Sequence, residues 1–230
     1  MLLALPSLAS GNAVIVKPSE VVPETGALLV KTLQKCLPPG VLQVAQGAGS
    51  VGEALVKHNG IDLVAMTGSS ATGRKILEAA APQLKRVILE MGGKDPMIVC
   101  ADADLEKAAN DAVMYSLSNA GQVCCSIERI YVAETVYDKF QVLAKEVAKD
   151  YKVGNGMETE NNVGPLVSMM QKEHVKNQVE DAVFKGATML HQSEIPNDVS
   201  KNESCFYPVT VLSDVDDTMK LFTTETFVSK

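Results

Sequence analysis

A carboxylate and two glycines follow one apolar run of the sequence. Glu90 is the last residue of a predicted strand over 86–90, directly after the apolar residues Val87–Leu89. Gly92 and Gly93 follow it closely. This order is typical of a side chain that leaves the end of a strand into a partly dry crevice, where a carboxylate can act as a general base. Taken alone, the segment is equally typical of a Glu that only caps the turn.

Thiols occupy a second glycine-containing segment. Cys124 and Cys125 follow Gly121 and Gln122, between a predicted helix and a predicted strand. A thiol on such a loop can reach a substrate and nearby backbone N–H donors, as a nucleophilic cysteine requires. For this segment alone, however, packing as small buried residues is the commoner role of free cysteine.

The composition excludes several classes of protein. Of the 230 residues, 46% are apolar and 21% are charged, which is typical of a soluble globular protein and not of a disordered or fibrous one. The net charge of −7, with no cluster of Lys and Arg, argues against a nucleic-acid partner. No apolar run approaches the roughly 18 residues that a membrane-spanning helix needs.

Cysteine and histidine usage points away from disulfides and metals. Five Cys do not suggest a disulfide framework in a chain of this length, which favours a reducing compartment. The adjacent pair Cys124–Cys125 also lacks the spacing of zinc ligands. The three His residues lie far apart in the sequence, so no metal site is predicted; they are His58, His174 and His191.

The first residues form a short apolar run that is not typical of a signal peptide. Pro6 interrupts the run Met1–Leu5, and the first basic residue is Lys17, whereas a signal peptide begins with a basic segment. The run is therefore predicted to be the tail of a core helix. The expected location is the cytoplasm, with an organelle left open because any targeting segment would lie upstream of Met1.

Short strand-like runs alternate with helical stretches over the first 90 residues. Strands are predicted over 12–16, 41–45, 61–66 and 86–90, and helices over 24–36, 51–58 and 71–80. The strand over 12–16 is expected to be buried. Strand and helix that alternate at this spacing predict right-handed βαβ crossovers and a parallel sheet in an α/β fold.

A second region with its own pattern is predicted to begin just after Glu90. Strands are predicted over 96–100 and 129–133, and helices over 105–117, 136–150 and 168–184. Asp102 or Asp104 is expected to cap the first of these helices, and Gly186 to end the last. The segments 154–164 and 196–204 are polar and are predicted to be loops.

The two chemical segments together resemble signatures of the aldehyde dehydrogenase superfamily. Glu90–Lys94 matches its Glu-x-Gly-Gly-Lys box and Gly121–Cys124 its Gly-Gln-x-Cys box, and the separation 124 − 90 = 34 is similar to that of the family. Five further pieces match in family order: Gly11–Glu20, Thr67–Ser69 with Gly73, Val163–Leu166, Phe206–Pro208 and Thr224–Phe227. The resemblance covers essentially the whole chain.

The resemblance implies a fold and a mechanism. It implies an α/β fold in which residues 1–90 form a partial dinucleotide-binding domain with a parallel Rossmann-like cofactor-binding sheet. Residues 91–230 would form a partial α/β catalytic thiol domain. Cys124 would attack the aldehyde carbon to form a thiohemiacetal, and hydride transfer to NAD(P) would leave a thioester. Glu90 would activate the water that hydrolyses this thioester to the carboxylic acid. Cys125 is expected to pack beside the site.

The cofactor expected from the resemblance is NAD, with NADP as the alternative. Several residues match family positions that contact it: Lys17 and Glu20 at the adenosine ribose, Gly49 and Gly52 near the adenine, Gly68 and Ser69 with Gly73 at the pyrophosphate, and Glu225 and Phe227 at the nicotinamide ribose. Each of these positions alone is also typical of a helix cap, a solvated charge or a core ring.

The run Gly47–Gly52 also fits the dinucleotide pattern G-x-G-x-x-G. That pattern expects an acidic residue after the next strand, and this strand runs instead into Met66–Gly68. The match alone is therefore weak, and the family motifs take precedence over it.

The chain departs from the family pattern at both ends. No Pro-Trp-Asn motif, whose Asn donates to the oxyanion, precedes Met1, and Phe227 is followed by Val228–Lys230 where the family has Gly-Pro-Val. The second half of the catalytic domain and the oligomerisation strands are therefore expected to be missing. Met66 also stands where the family usually has Phe.

Three functions remain open from the sequence. The first is an oxidoreductase that converts a small-molecule aldehyde to a carboxylic acid. The second is a catalytically inactive module that keeps a cofactor site, and the third is a truncated subunit that associates with full-length aldehyde dehydrogenase. Neither a nucleic acid nor a membrane is expected as a partner.

Overall fold

The structure is a computed structural model that describes residues 3–195 and 204–227. The chain forms two compact units, one that ends at Met91 and one that begins at Gly92. Most of the predicted polar loop 196–204, and the first two residues of the predicted N-terminal helix, lie outside the described residues. No helix in the described part is both long and apolar enough to cross a membrane.

The first unit alternates helix and strand as predicted. Its elements are α1 (Ala4–Ala9), β1 (Val14–Val16), α2 (Pro23–Gln34), β2 (Leu42–Val44), α3 (Gly49–Lys57), β3 (Leu63–Gly68), α4 (Ser70–Ala80) and β4 (Arg86–Met91). β1 pairs with β2 and β3 pairs with β4, both in parallel. Because parallel neighbours need a crossover, α2 and α4 lie between the paired strands in the sequence.

Two predicted site segments reach the same edge of the β3–β4 pair. The register places Thr67 opposite Glu90 and Gly68 opposite Met91. α4 approaches β4 closely because Gly73 has no side chain, since a Cβ atom there would lie 2.8 Å from Met91 Sδ. A glycine inside this helix therefore serves helix–strand packing.

The second unit begins with another parallel pair and ends with an antiparallel one. Its elements are β5 (Pro96–Val99), α5 (Leu105–Leu117), β6 (Arg129–Val132), α6 (Tyr137–Lys149), α7 (Met169–Phe184), β7 (Thr188–Gln192), β8 (Thr210–Ser213) and α8 (Lys220–Thr223). Asp104 caps α5 through Lys107 N–H, and Gly186 follows α7 with φ 108°. The main core packs around Ala109, Ala112 and Val175, which are fully buried.

Two expectations about burial are wrong. The strand β1 is not buried: Ile15 is 43% exposed, because the described chain covers only one of its faces. The N-terminal helix α1 buries Ala4 but leaves Leu5 49% exposed, so it lies at the surface of its unit more than in the core.

Candidate active site

Three consecutive residues with left-handed backbone precede the two adjacent thiols. Asn119, Ala120 and Gly121 have φ of 53°, 55° and 71°. Glycine adopts this conformation freely and Asn tolerates it, but an alanine there costs roughly 1–2 kcal/mol. Such strain persists only where the surrounding structure imposes it, and it is found most often at functional sites. The chain thereby leaves the end of α5 through an unusually tight turn.

Hydrogen bonds fix this loop on both sides. Asn119 Nδ2 donates to the Gln122 carbonyl and Gln122 Nε2 donates to the Asn119 carbonyl, both at 3.1 Å. The Val167 N–H donates to Gln122 Oε1 at 2.9 Å, which ties the loop to the segment after the Val163–Leu166 motif. Ser126, just beyond the thiols, is 3% exposed and anchors the far end. The Gln of the cysteine motif therefore shapes and holds the loop.

Cys124 and Cys125 are both exposed on this fixed loop. The expectation that Cys125 packs as a buried neighbour of the site is wrong. The alternative that Cys124 is only a small buried residue does not hold either, because it too is exposed. Both thiols are exposed because the loop is buried at its two ends, at Ala120–Gly121 and at Ser126, whereas the residues between them lie at the surface. The arrangement can present a thiol to a small substrate.

Brief treatment with iodoacetamide at neutral pH should label Cys124 before Cys36 and Cys100. All three side chains are exposed, so exposure alone predicts no preference, whereas only Cys124 lies on the loop held by Gln122, where the proposed nucleophile is expected. Peptide mass mapping after short reaction times measures the order.

The variants Cys124→Ser and Cys125→Ser provide matched controls, because they remove one thiol each from the same loop. The fast-labelling peptide should disappear only in the first of them. Faster labelling of Cys36 or Cys100 in the unmodified chain would contradict the assignment.

Glu90 lies one residue before the end of β4, and its side chain is exposed. The expectation of a partly dry crevice is therefore not met within the described chain. The carboxylate stands at the carboxyl edge of the β3–β4 pair, the edge at which α/β proteins bind ligands. Glu90 belongs to the first unit and Cys124 to the second.

A lysine and a carboxylate lie together at the end of β1. Lys17 Nζ donates to Glu20 Oε2 at 3.1 Å and to the Gly47 carbonyl at 2.8 Å. A Cβ atom at Gly52 would lie 3.6 Å from Lys17, so the first turn of α3 is also close. A hydrogen bond from its own backbone N–H and then Lys17 hold the pKa of Glu20 below its usual range. The structure thus brings Lys17, Glu20 and the glycine run 47–52 together.

Ser69 is the N-cap of α4. Its Oγ accepts a hydrogen bond from the Thr72 N–H at 3.2 Å, which is the capping role that the sequence also allowed. Gly68 lies at the end of β3, and Gly73 is buried against β4 rather than at the surface. Placing a pyrophosphate at this helix end stays a prediction, for which the first turn offers further N–H groups.

Glu225 and Phe227 lie beside the Gly-Gly-Lys box. The Gly93 N–H binds the Glu225 carboxylate, and a Cβ atom at Gly92 would overlap that carboxylate at 1.7 Å from Oε1. Burial and then the Glu128 charge raise the pKa of Glu225, while Gly93 opposes them. Phe227 has φ 54° and is 38% exposed. A side chain at position 92 would therefore displace the Glu225 carboxylate from this position.

A buried ion pair in this region was not predicted from the sequence. Lys94 Nζ lies 2.5 Å from Glu128 Oε2, and both side chains are 5% exposed. Lys94 is part of a motif, but Glu128 precedes β6 without any motif of its own. The available signal was a charged pair, Glu128–Arg129, at the start of a predicted strand.

The chain belongs to the aldehyde dehydrogenase family, since the family model of that description matches residues 1–229. Among curated relatives, a mitochondrial aldehyde dehydrogenase of Leishmania tarentolae is 41% identical over 225 residues, which are 96% of this chain and 44% of the relative. The chain therefore spans about half the length of the curated relatives it matches.

Solved structures of this family share the fold. A betaine aldehyde dehydrogenase of Staphylococcus aureus in complex with NAD+ has a TM-score of 0.90 at 33% identity, covering 97% of this chain and 45% of that one. An NADP-dependent enzyme of E. coli has a TM-score of 0.90 at 32% identity, covering 98% and 46%. These likenesses confirm the predicted α/β fold with its Rossmann-like cofactor-binding sheet.

Proposed function

We propose that this chain is part of an NAD-dependent aldehyde dehydrogenase in which Cys124 is the nucleophile and Glu90 the general base. The observation that carries the proposal is the exposed Cys124 on a strained loop held by Gln122, in a member of this family. The substrate class is a small-molecule aldehyde. The compartment proposed from the sequence is the cytoplasm.

The cysteine provides the first step. Its thiolate adds to the aldehyde carbon, and the carbonyl oxygen becomes the oxyanion of a thiohemiacetal. The bound cofactor supplies a hydride acceptor, and loss of hydride from the former aldehyde carbon leaves a thioester on Cys124. Glu90 takes a proton from water as that water adds to the thioester carbon. Collapse of the adduct releases the carboxylic acid and returns the thiolate.

Each unit, taken by itself, offers a carboxylate that suits a ribose of a dinucleotide. Glu20 is ionised and exposed, so its oxygens can accept hydrogen bonds from ribose hydroxyls, and Lys17 holds it in place. Glu225 can do the same at a second ribose, because Gly92 leaves room for its carboxylate. Two carboxylate acceptors suit a ligand with two ribose diols.

NAD should bind more tightly than NADP. The substitution Glu20→Ser should reduce the ratio of the two affinities by about tenfold or more. A 2′-phosphate close to the Glu20 carboxylate is repelled at short range. In the variant this repulsion is lost, and Lys17 no longer has the Glu20 carboxylate as its ion-pair partner. Isothermal calorimetry with each cofactor measures the ratio.

Glu24→Ser is the matched control, since Glu24 is an exposed carboxylate four residues further on, in the first turn of α2. It should leave the ratio of the two affinities unchanged. Tighter binding of NADP than NAD to the unmodified chain would contradict the assignment of Glu20.

A second proposal is a chain that associates with full-length aldehyde dehydrogenase without turning over substrate. Large apolar side chains at the surface favour it: Phe184 is 91% exposed, Ile98 73% and Leu28 67%. Exposed apolar side chains of this size can contribute to an association surface. Aldehyde-dependent NADH formation by the purified chain supports the enzyme, whereas inactivity together with co-purification of a full-length partner supports the subunit.

A further inference from the structure

We infer that the buried pair Lys94–Glu128 is a clamp that positions Glu225 and Phe227 for the cofactor. The clamp is defined here as Lys94, Glu128, Gln178 and the hydroxyl of Thr226. Its effect on cofactor binding rests on the proposed function, whereas its geometry stands on the contacts described below.

Glu128 accepts hydrogen bonds from two consecutive backbone N–H groups of the segment that it holds. The Phe227 N–H lies 2.8 Å from its Oε1, and the Thr226 N–H lies 3.0 Å from its Oε2. Lys94 Nζ donates to the same Oε2 at 2.5 Å. One carboxylate therefore joins the Gly-Gly-Lys box to the backbone of the segment 225–227.

Lys94 reaches the segment directly as well. Its Nζ donates to Thr226 Oγ1 at 3.0 Å, and this hydroxyl donates to Gln178 Oε1 of α7 at 2.5 Å. Burial lowers the pKa of Lys94, and the hydrogen bond to Glu128 opposes that effect. Thr226 is 0% exposed, so its hydroxyl has partners on both sides in a dry environment.

Side chains also hold the carbonyl groups of this segment. Gln171 Nε2 donates to the Thr226 carbonyl at 2.7 Å, and Gln178 Nε2 donates to the Glu225 carbonyl at 3.3 Å. The segment belongs to no strand or helix within the residues that the structure describes. Its conformation, including the left-handed φ of Phe227, therefore depends on these side chains and not on regular backbone pairing.

The clamp differs from an ion pair that only stabilises the fold. A buried ion pair adds little net stability over apolar residues of similar size, so stability alone does not explain it. Here the Glu128 carboxylate accepts hydrogen bonds from the backbone of a segment that contains two residues proposed to bind the cofactor, Glu225 and Phe227. A bound nicotinamide needs those ligands within a fraction of an ångström of their productive positions. Lys94 and Glu128 are thus positioning residues that act through Glu225 and Phe227.

The test compares variants that differ in one acceptor. Lys94→Met/Glu128→Met removes both charges, which avoids a single unpaired buried charge, and leaves the N–H groups of Thr226 and Phe227 without their acceptor. Lys94→Met/Glu128→Gln is equally neutral but keeps an oxygen at that position. Lys149→Met/Glu146→Gln removes an exposed pair of α6, with side chains 47% and 58% exposed, and serves as the control.

Amide hydrogen exchange without cofactor tests the geometry. The N–H groups of Thr226 and Phe227 should exchange about tenfold faster or more in the double-Met variant, as loss of a hydrogen bond to a charged group predicts. The Gln-containing variant should recover most of the protection, and the control should show no change. Unchanged exchange in the double-Met variant would overturn the clamp, whatever the activity of the protein.

Steady-state kinetics and calorimetry test the consequence. The double-Met variant should raise the KM and Kd for NAD by about tenfold, with a change of less than about twofold in the KM for the aldehyde, and the Gln-containing variant should recover part of the loss. Lost protection with unchanged NAD affinity would overturn the positioning role. If the unmodified protein binds no NAD, the proposed function fails, and the exchange result alone still decides whether the clamp exists.

Discussion

Replacing Cys124 by alanine should lower kcat/KM for aldehyde oxidation by roughly 10⁴–10⁶-fold, as loss of a covalent nucleophile does in other enzymes. The alanine cannot form the thiohemiacetal from which hydride is lost. Cofactor binding should persist, because the proposed contacts to NAD come from Lys17, Glu20 and Glu225 and not from the thiol. NADH formation and calorimetry with NAD measure the two effects separately.

Cys125 provides the control within the same loop. It is exposed like Cys124, so the structure alone does not rank the two thiols. The ranking comes from the family motif, which places the nucleophile two residues after Gln122. Cys125→Ala should therefore change kcat/KM by less than about threefold. Loss of turnover in this variant, with activity retained in Cys124→Ala, would transfer the role to Cys125.

The elements of the fold were predictable where local signals agree. α5 occupies Leu105–Leu117 as predicted, because Asp104 caps it and its apolar residues repeat on one face. The parallel pairs follow from alternating strands and helices. Neither β7 nor β8 was predicted. In β7 the register shifts between Met189 and His191, and such an irregularity interrupts the alternation on which a strand prediction depends.

The candidate site was predictable only where a motif marks it. The cysteine and glutamate boxes mark Cys124 and Glu90 as candidates. The two glycines of the glutamate box, Gly92 and Gly93, lie against the Glu225 carboxylate. The clamp leaves no local pattern, because Lys94 lies 34 residues from Glu128 and 132 from Thr226. Ala120 is similar, since alanine carries no sequence signal for the left-handed conformation that it adopts. Contacts between distant residues, and strain imposed by neighbours, appear only once the chain is folded.

Replacing Glu90 by glutamine should separate the two halves of the reaction. The amide has nearly the size of the carboxylate but cannot take a proton from water, so hydrolysis of the thioester should slow by about 10²–10⁴-fold. Attack by Cys124 and loss of hydride do not require this base, so the first turnover should still release one equivalent of NADH per active site. Rapid mixing should therefore show a burst of NADH followed by a slow steady state. Glu78→Gln, at an exposed position of α4 in the same unit, should leave both phases unchanged. A burst that disappears together with the steady state would mean that Glu90 acts before the thioester forms, as the base that activates Cys124, and the proposed assignment of the hydrolytic base would then be wrong.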